Sequence, residues 1–342
     1  MSSNKSVNIY TIAEEAGVSK STVSRVLNNK SDVSKKTREK VLKVMKEFNY
    51  LPSKLARSLA TNKTQTIGLI IPDIANPFFS EYIKGAEKKV IEEDYNLMLC
   101  SSHWTAKEEL REIKMLREGI VDGVLMIGGG IDISESYLEF LEESSIPIVF
   151  IDRRVDSDNI PSVNVDNCKA AYKATNYLLE LGHRKIACVK GPDVLQSSRD
   201  RVKGYEKALA DFEIDYRLIK SGYFNGEDSH QATCEILKNH REVTAIFYAN
   251  DAMALGGIRA IKEFGLQIPE DISIVGCDDL DIISLITPPL TTLKQPRYEM
   301  GYVGMEMLMN KIDDKLIIDS SKDIVYDMEL IKRESVISLN KL

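Results

Sequence analysis

No run of about 18 consecutive apolar residues occurs anywhere in the 342-residue chain, so no membrane-crossing helix is predicted. The opening MSSNKSVNIY holds no apolar core of the kind a secretory leader needs, and the expected location is the cytosol. Cysteine is scarce: Cys100, Cys168, Cys188, Cys234 and Cys277 are odd in number, far apart, and mostly inside apolar runs such as KIACVKG and SIVGCDD. That placement predicts reduced core thiols rather than a disulfide framework. No C-x-x-C pair or Cys/His cluster suggests zinc, so no metal is expected. The four histidines, His103, His183, His230 and His240, lie apart with no neighbouring Ser or Cys motif. GGG at 128–130 is not followed by G-x-G-x-x-G or Walker spacing, which leaves nucleotide binding unsupported. No cofactor and no enzymatic activity are expected.

What is present is a globular composition, 43% apolar and 28% charged, on a chain too long for one ordinary domain. Charge is unevenly placed. Residues 1–62 hold twelve Lys/Arg against five Asp/Glu, a surplus of +7, while the whole chain carries −7. A basic head on an acidic body suggests a polyanionic partner for the head alone. Without further motifs it would read equally as a solvated basic face.

The head supplies those motifs. Thr11 and Glu14 have the spacing of a capping box opening a helix over 12–16, Gly17 suits a turn, and Ser19 suits the cap of a second helix. Ser34 suits the cap of a third, with Val41, Leu42, Met45 and Phe48 at helical spacing, ended by Asn49-Tyr50-Leu51-Pro52. IYTIAEEAGVSKSTVSRVLN (9–28) thus has the form of a helix-turn-helix. Ile12, Ala13, Ala16, Val18, Val23, Val26 and Leu27 form its apolar side, and Lys20, Ser21, Ser24 and Arg25 share the opposite one. A short polar face of this kind is what a recognition helix presents to base edges in the major groove. Arg25 suits a bidentate contact to guanine; Asn28, Lys35, Lys36 and Arg38 suit phosphate contacts.

SKLARSLA (53–60) is helical in composition but too short to stand alone, and polar TNKTQT (61–66) marks a boundary. From Ile67 the pattern alternates. Strand candidates are 66–72, 95–101, 123–128, 147–152, 185–191, 245–250 and 273–278; helical stretches between them are 77–93, 105–118, 134–144, 167–181, 199–212, 228–239 and 252–264. Such alternation predicts parallel sheets covered on both faces, and two doubly wound lobes suit its length better than one sheet. The expected organisation is an all-α DNA-binding head at 1–50, a hinge and linker at 51–66, and an α/β core of two lobes at 67–340, with a ligand cleft between the lobes.

The run 9–28 resembles the LacI/GalR family of bacterial regulators, and the resemblance continues through TREKVLKVMKEFNYLPSKLARSLATNKTQTIGLIIPDIANPFFSEYIKG (37–85) to near the C-terminus. It implies that 53–60 is a hinge helix and that Leu59, followed by Ala60, is a wedge for the minor groove, where unstacking is repaid by bent DNA. It also implies a core similar to periplasmic sugar-binding proteins, close to the ribose type at Asn76, Phe78, Phe79, Asp152, Arg153, Arg201, Phe224, Asn250, Asp278 and Gln295. Such residues offer paired donors and acceptors to hydroxyls and rings to the apolar face of a sugar. Gly128 stands where an amide is expected and Cys277 where an aromatic is expected, which weakens the case for ribose itself.

The implied protein is a homodimeric repressor of sugar-uptake or catabolism genes, binding a pseudo-palindromic double-stranded operator and responding to a small sugar, ribose first. The alternative is a catabolite-control regulator whose effector is a phosphoprotein or a sugar phosphate. The tail SLNKL is too short for the extra heptad helix that makes some relatives tetramers.

Overall fold

The computed structural model describes residues 7–27, 30–50, 63–128, 135–155, 157, 159–313 and 323–341. The chain divides into two compact units, Met1–Gln65 and Thr66–Leu342.

The first unit holds α1 (Ile9–Glu15), α2 (Lys20–Leu27) and α3 (Lys35–Glu47). α1 opens earlier than the T-x-x-E spacing suggests, because Asn8 caps it by accepting from the Tyr10 and Thr11 amides. Gly17 makes the turn at φ +58°, a conformation that costs a side chain dearly. Ser19 Oγ then accepts the Thr22 amide, and Ser34 Oγ the Thr37 amide, so both expected caps form. Ile12, Ala13, Ala16, Val23, Val26, Val41 and Val44 form the buried core. Leu42 and Phe48, expected on the inner side of α3, are exposed instead; Val44 takes the inner position.

The second unit has two six-stranded sheets. Its strands are β1 (Thr66–Ile71), β2 (Asn96–Ser101), β3 (Gly123–Ile127), β4 (Ile148–Ile151), β5 (Ser162–Val165) and β6 (Ile186–Lys190). They continue with β7 (Leu218–Ser221), β8 (Ala245–Tyr248), β9 (Ser273–Asp278), β10 (Thr291–Lys294), β11 (Ile324–Tyr326) and β12 (Glu329–Ile331). The first sheet runs β11-β5-β4-β3-β1-β2 and the second β12-β10-β9-β8-β6-β7. Only the β10–β12 pair is antiparallel among the described pairings. The helices are α4 (Ser80–Glu92), α5 (Ala106–Arg117), α6 (Glu135–Glu142), α7 (Asn167–Glu180), α8 (Gln196–Asp211), α9 (Gly226–Asn239), α10 (Asp251–Glu263) and α11 (Arg297–Ile312).

Two lobes follow, one sheet each, as the alternation predicts. The chain passes between them three times: after β5, between β10 and α11, and between β11 and β12. Five strands and α11 escaped the sequence reading. SVNV, LIKS, TTLK, IVY and ELI are too short or too polar to show a strand period. α11 buries Met300, Met305, Met307, Leu308 and Met309 around most of its circumference against α4, β3 and β4, so it lacks a one-sided stripe. The largest apolar cluster runs through both lobes, from Ile67 and Tyr82 to Phe247 and Leu293.

Candidate functional site

At the seam of the lobes, strand ends and crossings bring together most of the residues expected to bind an effector. Asp152 follows β4, Arg201 lies in the second turn of α8, Asp278 ends β9, and Gln295 begins the second crossing. Gln295 Nε2 donates to Tyr82 Oη at 2.5 Å and to Asp152 Oδ1 at 3.4 Å, joining first-lobe groups to the crossing. Arg201 Nε donates to Asn167 Oδ1 at 2.8 Å, its Nη1 donates to the Ala249 carbonyl, and the same nitrogen lies 3.7 Å from Asp278 Oδ1. Burial pushes the Asp278 carboxyl up to about 8, and that of Asp152 up to about 6; Arg201 opposes both shifts. Near neutral pH one carboxylate therefore balances the Arg201 charge.

The backbone is strained at these points. Asp152, Phe224 and Asp278 adopt φ of 57°, 59° and 124°, which non-glycine residues seldom do and which cluster at ligand clamps. The Phe224 ring lies against Gly191, where an added Cβ would come within 2.4 Å of it, and the Arg201 guanidinium sits 5.8 Å from the ring centre. Asn250 caps α10 through the Met253 amide, which commits its carbonyl and leaves its amide group toward Phe224. Asn76 caps the turn of Pro77–Phe79, with its side chain accepting from the Phe78 amide. Phe78 is half-buried. Phe79 is 1% exposed and spends its ring on the lobe core.

Arg153 departs from expectation. It leaves β4 on the other side of the sheet, where Nη1 pairs with Glu109 Oε1 at 2.6 Å and the guanidinium packs over the Tyr137 and Phe150 rings. Asp152 turns the chain at φ 57° just past β4, and its side chain reaches Gln295 in the seam while that of the next residue, Arg153, reaches Glu109 on the other side. Arg297 supplies the second arginine of the seam. It donates to the Phe78 carbonyl at 3.1 Å in one lobe and the Asp279 carbonyl at 2.9 Å in the other.

Sequence reasoning also missed Tyr82 and Asn167, and it placed Asp251 beside Asn250 as a pocket position or a helix cap. Asp251 accepts from the Leu280 amide and from Thr292 Oγ1, holding the β9–β10 connection. Trp104, beside Phe79 at 6.1 Å between ring centres and 42% exposed, was overlooked too, although a single tryptophan after a strand end was a visible signal.

On the head, Lys20, Ser21 and Arg25 are exposed and Ser24 is half-buried. Lys20 Nζ bonds Tyr10 Oη at 3.2 Å, and Arg25 pairs with Asp32 at 3.5 Å. Arg38, expected to contact phosphate, donates to the Val26 and Lys30 carbonyls in the free head. Asn28, Leu59 and Ala60, and the hinge at 53–60, lie outside the described residues.

The expected absence of a Cys/His cluster also needs correction. His230, Cys234 and Glu263 bring ligand atoms within 4.8 Å of one another in the second lobe. Among the described residues no helix is long and apolar enough to cross a membrane.

Two family patterns match. The one described as bacterial regulatory proteins, lacI family, covers residues 8–53, and that of the periplasmic binding proteins and sugar binding domain of LacI family covers 64–334. The chain belongs to the LacI family. The HTH-type transcriptional regulator RegA of Clostridium saccharobutylicum is 36% identical over 332 residues, covering 96% of this chain and 99% of RegA. The lac repressor dimer bound to operator and the anti-inducer ONPF superposes with a TM-score of 0.86 at 30% identity, covering 97% of this chain and all of that one (100%). A LacI-family regulator from Enterococcus faecium with bound ribose gives a TM-score of 0.71 at 28% identity, over 80% of this chain and 99% of its own. As a LacI-family protein the chain is a DNA-binding transcriptional repressor with a ligand-sensing core, and its relatives are regulators rather than enzymes.

Proposed function

We propose that this LacI-family repressor acts as a cytoplasmic homodimer on a pseudo-palindromic operator and senses a neutral pentose or hexose, ribose first, at the lobe seam. The observation that carries the effector reading is a pair of buried acceptors. Asp278 Oδ1 and Gln295 Oε1 make no hydrogen bond, and an unsatisfied buried polar group costs about 1–3 kcal/mol. Sugar hydroxyls arriving between the lobes would satisfy both. Asn76, Phe78, Asp152, Arg201, Phe224 and Asn250 complete the set; Phe79 backs it from the core.

The charge balance supports an uncharged ligand. Asp152 and Asp278 both face Arg201 and would compete with a phosphate for it, and Arg297 turns Nη1 and Nη2 to backbone carbonyls rather than toward a ligand. The ribose bound by the Enterococcus faecium relative is consistent with this class. On the head, Lys20, Ser21, Ser24 and Arg25 read the half-site; by family resemblance Asn28 contacts phosphate and Leu59 with Ala60 enters the minor groove. A two-fold dimer demands a two-fold site. A ligand that favours one lobe arrangement by about 1–3 kcal/mol shifts operator affinity 5–150-fold.

Calorimetry with ribose, other aldoses and their phosphates, on wild type, Arg201→Ala and Asp278→Asn, tests the reading. Binding of a free aldose by wild type, lost in both variants while operator binding persists, is the expected result. Binding only of a sugar phosphate or a phosphoprotein would replace it with the catabolite-control reading.

A further inference from the structure

α9 and α10 pack side by side in the second lobe. His230 and Cys234 stand one turn apart on α9, so they share a side of that helix, and Glu263 closes α10 beside them. His230 Nε2 lies 2.7 Å from Glu263 Oε2 and 3.9 Å from Cys234 Sγ. We propose that this imidazole, thiolate and carboxylate form a binding site for one divalent transition ion of the zinc type, with water as the fourth ligand.

The geometry is nearly that of a loaded site. Zinc bonds of roughly 2.0–2.3 Å in a tetrahedron hold N, O and S ligand atoms about 3.4–3.6 Å apart. The His–Glu contact must open and the His–Cys contact must close, each by less than about 1 Å, which side-chain torsions supply. A thiolate excludes magnesium and calcium, which prefer oxygen, and the mixed N, S and O set suits zinc and its neighbours in the first transition row. His230 is 14% and Glu263 53% exposed at the side chain, so solvent reaches the open position. Arg259 Nε lies 3.5 Å from Glu263 Oε1, the other carboxylate oxygen, and Arg259 also pairs with Glu227. This cation tempers affinity but leaves Oε2 facing the histidine.

On binding, the Cys234 S–H bond breaks as the S–metal bond forms and its proton passes to water, while the proton His230 Nε2 shares with Glu263 leaves that nitrogen, through water to Nδ1, so that Nε2 bonds the metal; no electron moves. Glu263 lies about 18 Å along α10 from Asp251, which separates the site from the seam. The ion would pin α9, which follows Phe224, to α10, which follows Asn250.

A cobalt(II) absorption titration of the full-length protein tests the proposal. A thiolate-to-cobalt charge-transfer band with intense visible bands should saturate near one ion per chain and be bleached by zinc. Cys234→Ser should abolish the charge-transfer band. His230→Gln and Glu263→Gln should each weaken binding by more than about tenfold, the loss that even outer-shell partners of a metal can cause. Zinc should raise the melting temperature of wild type but not of Cys234→Ser. No such band in wild type, or an undiminished band in Cys234→Ser, overturns the site; the second outcome would assign the metal to another thiol.

Discussion

Arg201 Nη1 faces Asp278 Oδ1 at 3.7 Å, with both side chains 4% exposed, and yet that oxygen accepts no hydrogen bond. A buried pair with an unfilled acceptor is weakly stabilising by itself.

The Asp278 carboxyl, pushed up to about 8 by burial, fixes the sign of a pH dependence. Unfolded, it titrates near about 4, so between those values the native state holds the extra proton and stability falls as pH rises. Urea unfolding from about pH 5 to pH 9 should show wild type losing stability, and Asp278→Asn should flatten that loss. An identical slope in the variant would contradict the assignment.

Arg153 is a structural residue in this arrangement. Arg153→Ala leaves the buried Glu109 carboxylate without its ion-pair partner and should cost about 3–5 kcal/mol in denaturant unfolding. Effector affinity, read by calorimetry below the unfolding transition, should stay near that of wild type. A variant of normal stability that no longer binds effector would return Arg153 to the seam.

Arg297→Met removes charged donors from the Phe78 and Asp279 carbonyls, one in each lobe. Stability should drop by about 2–4 kcal/mol, and the effector-induced change in operator affinity should shrink as the lobes lose a shared brace. Gel-shift titrations with and without effector measure the second effect.

On DNA, Arg25→Ala should relax base preference at one half-site position, with about 1–3 kcal/mol less discrimination. Lys36→Ala should weaken all sequences alike and reduce the salt slope. Arg25 and Asp32 are both exposed, so their ion pair is worth little and does not hold Arg25 back from a base. Leu59→Ala should cost affinity on operator more than on non-specific DNA. Random-site selection and salt titrations separate these outcomes.

The head was legible because its signals are local. Gly17, Ser19 and Ser34 act within one turn, and the apolar period of Ile12 to Leu27 sets which side is buried before anything else packs. The two-lobe core was legible for the same reason, since seven strands carry continuous apolar runs between amphipathic helices. Which of two adjacent residues enters the seam was not local information. Asp152 and Arg153 are both polar at a strand end, and only the buried Glu109 on α5, 44 residues earlier, draws the arginine to the opposite face. Arg297, Tyr82 and Asn167 were silent in sequence because their partners are backbone carbonyls and side chains contributed by distant elements. The same holds for the His230, Cys234 and Glu263 group: two members stand one turn apart, but the third meets them only where α10 ends against α9. Local periodicity and capping thus determine the elements and their buried faces, while long-range pairing of charges in a low-dielectric interior decides which polar residues become a site.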